Sequence, residues 1–165
     1  YLSTLIYSSN VIKSLDFNRF YDSNFLQTGV IFEYLSGKGR EVNCLFYNQL
    51  KIRLLKGEKN GHWRNEALYI FCQRWYLFIM SLPLSYKYEN KRQCIIDHGI
   101  KSNLFTHKGL LSLRADKAIN IKKYCENYFF VVNCIKYKYF CLFACFLPVQ
   151  ILRSLKNIVK KVRNV

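Results

Sequence analysis

The sequence predicts a mostly α fold, a small helical domain that ends in a basic amphipathic helix, with an α+β arrangement containing one minor strand pair as the alternative. The long apolar segments repeat at the helical spacing of three and four residues. Strict alternation of apolar and polar residues, which predicts strands, is sparse. Aromatic and β-branched residues are abundant, however, and because they favour strands, the strand pair remains an alternative. The segment 149–165 has a clear amphipathic pattern.

Length and composition predict one folded domain. The chain has 165 residues, of which 51% are hydrophobic, and a domain of this size buries about 70% of the surface of its unfolded chain. We expect a mainly helical core over residues 1–127, followed over 128–165 by an aromatic apolar segment and the basic amphipathic helix. The abundance of Lys, Asn, Ile, Tyr and Phe is typical of an AT-rich genome.

The first predicted elements are turns or helix starts at 8–10 and 22–24, within a segment where polar and aromatic residues alternate. Residues 28–35 suit either a short strand or the end of a helix. Apolar positions between 41 and 56 then predict a long helix, for which Gly57 supplies a C-terminal stop.

Two more helices are predicted in the middle of the chain. Asn65 is a candidate N-cap for a helix that continues through Met80. A basic connection at 84–92 and a mixed stretch broken at Gly99 follow it. The apolar spacing over 109–133 predicts the next helix.

Two segments have to be tested as membrane spans, which need about 20 mainly apolar residues. The segment 128–152 is interrupted by Lys136 and Lys138, and its uninterrupted part, 139–152, is short and contains Pro148, so it suits a buried core helix or an interfacial segment. The segment 67–86 is long enough, but Gln73 and Arg74 lie near its centre, where a charge costs about 2.5–3.5 kcal/mol. A span is therefore the less favoured interpretation of both.

The C-terminal helix predicted over 149–165 has one apolar stripe and a basic remainder. The stripe consists of Ile151, Leu152, Leu155, Ile158, Val159, Val162 and Val165. The basic residues away from it are Arg153, Lys156, Lys160, Lys161 and Arg163. This pattern is typical of a cationic amphipathic helix.

The charge of the chain is strongly and unevenly basic. Lys and Arg number 26 against 10 acids, which gives a net charge of +16. Residues 1–37 hold two basic and three acidic residues, so residues 38–165 carry +17, and no acid follows Glu126. A basic surface of this kind usually meets phosphate, in a nucleic acid or in anionic lipid headgroups. A solvated basic surface without a partner is the alternative.

Basic and aromatic residues alternate at several places, most clearly over 86–88 and 136–139. Cations neutralise phosphates and rings stack on unpaired bases, although the same tyrosines also suit the rim of a core. The residues predicted to bind RNA or another anion are Lys87, Lys91, Arg92, Lys136, Lys138, Arg153, Lys156, Lys160, Lys161 and Arg163.

The seven cysteines show no Cys-x-x-Cys pair and no regular spacing. They therefore predict no disulfide framework, and several sit among aromatic residues as free buried thiols do. We expect an intracellular, reducing compartment, with organelle and cytoplasm both open.

The densest set of possible metal ligands consists of Cys94, Asp97, His98 and His107. Its spacing matches no zinc module, so a turn with two surface histidines is the favoured interpretation, and we predict neither a metal nor another cofactor.

Two further patterns are weak candidates for chemistry. His62 and Glu66 stand one helical turn apart, which also suits an ordinary helix start. The Gly-rich segment 36–40 departs from the phosphate-loop pattern and suits a turn. We predict no catalytic residue and no small-molecule substrate, and enzymatic activity is the least favoured function.

The favoured function is a small basic structural RNA-binding protein within a large ribonucleoprotein assembly, with structured RNA or another polyanion as partner. A membrane-associated protein or membrane-complex subunit with an interfacial cationic C-terminal helix is the alternative. A third hypothesis places the stripe of that helix in a groove of a partner protein. Under the RNA hypothesis a protein core should cover Phe140, Phe143 and Phe146, whereas lipid should cover them at a membrane.

Overall fold

The computed structural model describes residues 16–37 and 65–163 together with positions 9 and 13, and only the backbone at position 22 and at 159–163. This part of the chain is mostly helical and contains no strand, so the mostly α prediction is confirmed. The helix predicted over 41–56 lies outside the described residues.

The described elements begin with a 3-10 helix, Asn18–Ser23, and a π-helical segment, Tyr69–Arg74, leads directly into α2. The α-helices are α1 Leu26–Gly37, α2 Trp75–Ser81, α3 Tyr88–Lys101, α4 His107–Ala115, α5 Ile121–Glu126, α6 Tyr128–Cys134, α7 Lys138–Phe146 and α8 Val149–Arg163.

Helix α1 occupies the segment for which the sequence left a strand and a helix open. Asn24 ends the 3-10 helix with a left-handed φ of 62°, and the N–H of Phe25 donates to the hydroxyl of Ser23 at 3.0 Å. Of the turn and the helix start predicted as alternatives at 22–24, the structure shows a turn at Asn24 between the 3-10 helix and α1. A Cβ at Gly29 would collide with the ring of Phe20, so glycine allows the 3-10 helix to pack closely against α1.

An aromatic core joins the 3-10 helix, the start of α1 and α2. The ring centroid of Phe25 lies 4.8 Å from that of Trp75 and 5.3 Å from that of Phe78, and such pairs contribute about 0.5–1.5 kcal/mol beyond their burial. The same core includes Val131 of α6 and Cys141 of α7. Side chains from both sides of the predicted boundary between residues 127 and 128 therefore pack in one core.

The second predicted helix is confirmed with one irregularity. The helix passes through the π-helical segment and ends at Ser81, shortly before Pro83, which cannot continue it. A π-helical turn holds an extra residue, and this one includes Gln73 and Arg74, the polar pair in an otherwise apolar segment. Both side chains are half-buried.

Helix α3 is longer than the sequence pattern suggested. It begins at Tyr88 and passes through Gly99, so the predicted break there is wrong. Lys91, Ile95 and Gly99 are spaced four apart and form its buried side. The ring of Phe105 folds back onto Gly99 at a place where a Cβ would collide with it. The glycine serves close packing and does not end the helix.

The single helix predicted over 109–133 is divided into α4, α5 and α6. Lys117 takes a left-handed φ of 62° and its N–H donates to the carbonyl of Arg114 at 2.9 Å. The N–H of Ala118 donates to the carbonyl of Leu113 at 2.8 Å. These two bonds form a Schellman ending, here built without glycine.

Two asparagines shape the remainder of that segment. The side-chain oxygen of Asn120 accepts the N–H of Lys123 at 2.9 Å, which caps the start of α5. The side-chain amide of Asn127 donates to the carbonyl of Lys123, also at 2.9 Å, at the end of α5. The apolar spacing continues through both ends of α5. Periodicity alone therefore predicts one helix over 109–133, where these caps divide the segment into separate helices.

The predicted C-terminal helix is confirmed as α8. Within the described residues no single helix has both the length and the apolar character for a membrane crossing. Helix α7 and the segment Val149–Ile158 meet these two criteria only as a pair, which is bent by 104°.

Polar contacts hold α8 against the end of α4. The Nε of Arg153 donates to the carbonyl of Ala115 at 2.8 Å, and the ammonium of Lys156 lies 2.7 Å from both carboxylate oxygens of Asp116. Just before α8, the Nε of Arg114 donates to the carbonyl of Leu147 at 3.0 Å. The carbonyl end of a helix carries partial negative charge, which suits these cations.

Candidate nucleic-acid interface

The start of α4, the turn before α7 and the first part of α7 meet around one histidine. The ring centroid of His107 lies 4.1 Å from that of Tyr137 and 4.5 Å from that of Phe140. Thr106 fixes the start of α4 because its hydroxyl accepts the N–H of Gly109 at 3.2 Å. These contacts bring the start of α4 to Tyr137 and Phe140, and Lys101 of α3 is linked to Lys136 because both act on the carboxylate of Asp97. We call the result the basic–aromatic cluster, formed by Lys101, His107, Lys136, Tyr137, Lys138 and Tyr139.

The charge of this cluster is almost entirely positive. Asp97 is the acid beside it, and Lys101 lies 3.2 Å from its carboxylate. Hydrogen bonds from Gln93 and Lys101, with the nearby charge of Lys136, hold the pKa of the Asp97 carboxyl below its ordinary value. Lys136 and Lys138 have no carboxylate partner within the described residues.

Two lysines of the cluster, Lys136 and Lys138, each have a tyrosine ring beside them. The Nζ of Lys136 lies 5.8 Å from the centroid of Tyr137, and the Nζ of Lys138 lies 5.6 Å from the centroid of Tyr139. The Tyr139 ring is 79% exposed. An exposed ring next to an ammonium group can stack on an unpaired base while the cation meets the adjoining phosphate.

Lys91 is a correction to the predicted set of anion-binding residues. Its side chain is buried, and its ammonium donates to the carbonyl of Leu82 at 2.6 Å and to that of Met80 at 3.3 Å. These carbonyls lie at the end of α2, where a cation offsets the partial negative charge. Lys91 therefore joins α3 to α2 and is unavailable to an external anion.

The structure places the other predicted cations in three groups. Lys87 lies just before α3 and Arg92 lies in its first half, and both side chains are exposed. Arg153 and Lys156 make the contacts with α4 described above, so the guanidinium of Arg153 and the ammonium of Lys156 already have hydrogen-bond partners within the protein. The side chains of Lys160, Lys161 and Arg163 lie outside the described part of the chain.

The candidate metal ligands turn toward different partners. The ring of His98 stacks on Trp75 at a centroid distance of 4.3 Å, and burial lowers the pKa of its imidazole. Burial raises the pKa of the half-buried Cys94 thiol. His107 packs on Tyr137. Among the described residues, no three or more His, Cys, Asp or Glu side chains are arranged to hold a metal ion.

The weak candidates for chemistry are mostly outside the described residues. His62 and residues 38–40 lie there, while Ser36 and Gly37 belong to the end of α1. Glu66 is exposed in the turn before the second predicted helix.

Lys101 and His107 are members of the cluster that sequence reasoning did not assign to anion binding. The sequence suggests His107 as a possible metal ligand, whereas in the structure it packs on Tyr137, thirty positions further along the chain. The one local signal was Thr106, a residue type favoured at helix starts.

The exposure of the α7 aromatics differs from what the RNA hypothesis predicted for them. Phe140 is half-buried against His107, but Phe143 is 56% and Phe146 is 68% exposed to solvent in the described structure. The described core covers one of these three rings.

Comparison with known proteins adds no relative. The chain matches no protein-family model, no curated protein and no solved structure at a significant level. The conclusions that follow therefore depend on the geometry and charge of this chain.

Proposed function

We propose that this chain is a small basic structural RNA-binding protein within a larger ribonucleoprotein assembly, and that it contacts RNA through the basic–aromatic cluster. The observation that carries this proposal is the contact of His107 with Tyr137, which places the start of α4 beside Lys136, Lys138 and the exposed ring of Tyr139. Cations with adjacent rings bind backbone phosphates and unpaired bases together. The net charge of +16 adds a long-range attraction to any RNA.

The proposed compartment is intracellular and reducing. Its support is that the six described cysteines are free thiols, four of which are buried. Burial raises the pKa of the Cys72 thiol well above its ordinary value, with a contribution from its hydrogen bond with Cys134. Buried thiols of this kind act as small apolar side chains.

The test is a salt titration of binding to an RNA hairpin with a single-stranded loop, followed by fluorescence anisotropy. Each lost contact with a single-stranded phosphate should reduce the slope of log affinity against log salt by about 0.7. We therefore expect Lys136→Gln/Lys138→Gln to reduce that slope by about 1.4. The matched control Lys117→Asn/Lys122→Gln removes the same charge elsewhere and should change the slope much less.

Base stacking is tested separately with Tyr139→Ala, which should weaken binding to the hairpin by about 1–3 kcal/mol for each stacked base. Tyr21→Ala is the control, because Tyr21 is 77% exposed against 79% for Tyr139 and lies in the 3-10 helix. Equal salt slopes and equal affinities in all four variants would contradict the proposed interface.

A further inference from the structure

Helix α8 contacts the molecule along one edge of its apolar stripe, through half-buried Val149, Leu152 and Lys156, and presents other apolar residues to solvent. Ile151, Leu155 and Ile158 are spaced four and three apart and are 59%, 53% and 58% exposed. The opposite arrangement is usual for a surface helix, whose apolar face packs on the core. We call these three residues the outer face of α8.

The inner side of α8 explains why the outer face stays exposed. Lys156 holds both carboxylate oxygens of Asp116, and Arg153 donates to the carbonyl of Ala115. Among the stripe residues whose side chains the structure describes, Leu152 is half-buried. A rotation of α8 that buried the outer face would break the Lys156 and Arg153 contacts.

Two exposed rings lie shortly before this face in the sequence, on the preceding helix. Phe143 and Phe146 of α7 are more than half exposed, and Phe146 stands five positions before Ile151. Large apolar side chains exposed together on a protein surface mark a place where another apolar surface docks, as Ile151, Leu155 and Ile158 do on α8.

Charge decides which occupant suits the outer face. No acid follows Glu126, and five Lys or Arg residues lie within 149–165. Residues 38–64 of the same chain contain seven Lys or Arg against two Glu, and a second copy of the chain carries +16. Both would bring like charge against α8, whereas an anionic lipid surface supplies an apolar layer bordered by negative headgroups.

We propose that α8 attaches this protein to the surface of an anionic lipid bilayer, with Ile151, Leu155 and Ile158 entering the boundary between headgroups and acyl chains. The helix is about 22 Å long and lies in the plane of the surface, because its inner side remains bound to α4. This inference is independent of RNA contact at the basic–aromatic cluster.

The experiment is co-sedimentation of the full chain with vesicles of phosphatidylcholine alone and of phosphatidylcholine mixed with phosphatidylserine. We expect uptake by the mixed vesicles, and Ile151→Gln/Leu155→Gln/Ile158→Gln should weaken it roughly 100-fold, since three apolar side chains no longer leave water. The control Leu77→Gln/Leu84→Gln/Ile121→Gln changes three exposed apolar residues elsewhere and should retain the uptake.

A second variant keeps the proposal testable if the triple substitution disturbs folding. Leu155→Trp preserves apolar character, so it should retain uptake and add tryptophan emission that brominated lipids quench, relative to the parent chain. Uptake that high salt abolishes and the triple substitution leaves unchanged would overturn the proposal in favour of purely electrostatic binding. Loss of a dimer or of RNA binding in the triple variant, without vesicle uptake by the parent, would overturn it in favour of that partner.

Discussion

His98 stands out among the individual residues because an ionisable ring is packed between aromatic rings. It stacks on Trp75 and Phe71, and its Nε2 is buried without a hydrogen-bond partner within the described structure. Burial lowers the pKa of its imidazole below the ordinary value of 6.5. The folded protein therefore holds the neutral form where an unfolded chain would already bind a proton.

This lowered pKa predicts a loss of stability in acid. Above pH 6.5 both states are neutral at His98 and its contribution to stability is fully present. As the pH falls from 6.5 through the folded-state pKa, the unfolded state binds the additional proton, so the free energy of unfolding decreases. Urea unfolding on both sides of pH 6.5 should show this decrease, and His98→Phe should make it smaller.

A substitution at Gly99 should also lower the stability of the protein. Gly99→Ala adds a Cβ that collides with the buried ring of Phe105, which costs about 1–3 kcal/mol. The better helix propensity of Ala returns at most about 1 kcal/mol, so the free energy of unfolding should fall. Thermal or urea unfolding measures this change. In a Phe105→Leu background the cost of Gly99→Ala should shrink, and an equal cost in both backgrounds would contradict the close packing described here.

Among the helices, α8 depends most clearly on particular polar contacts. Its pair of Lys156 with Asp116 is half-buried, with side-chain exposures of 26% and 29%. The comparable pair on α5, Lys122 with Glu126, is 3.9 Å apart and well exposed. Exposed pairs contribute about 0–1 kcal/mol, so the first pair should matter more than the second.

We therefore expect Asp116→Asn to loosen α8 from α4. Trypsin should cleave after Arg153 several-fold faster in this variant, because cleavage requires the helix to open locally. Glu126→Gln removes one acid from the exposed pair and serves as the control. Equal cleavage rates in the two variants would show that Asp116 does not hold α8.

At the scale of the whole molecule, the excess of positive charge should act against the folded state. A net charge of +16 on 165 residues produces self-repulsion that is strongest in the compact form. Salt screens these charges, with a Debye length of about 10 Å at 0.1 M. The Tm should rise as sodium chloride is added from low ionic strength. A Tm that falls instead would mean that ion pairs such as Lys156–Asp116 outweigh the repulsion.

The sequence by itself determined the helical class, the C-terminal amphipathic helix and the basic charge. These properties depend on local spacing and composition, as in the stripe that includes Ile151 and Leu155. The sequence misplaced the end of α4, because Lys117 adopts a left-handed conformation that is usual for glycine. It also predicted a break at Gly99, where the helix in fact continues. The ring of Phe105, six positions away, packs directly against this glycine.

Only the tertiary structure decided which cations are available and which face of α8 meets solvent. Lys91 and Lys136 look alike in the sequence, yet the ammonium of Lys91 is bound to carbonyls of α2. The orientation of α8 follows from Asp116, forty positions before Lys156. Such contacts join residues that are distant along the chain, and neither periodicity nor composition predicts which distant residues come into contact.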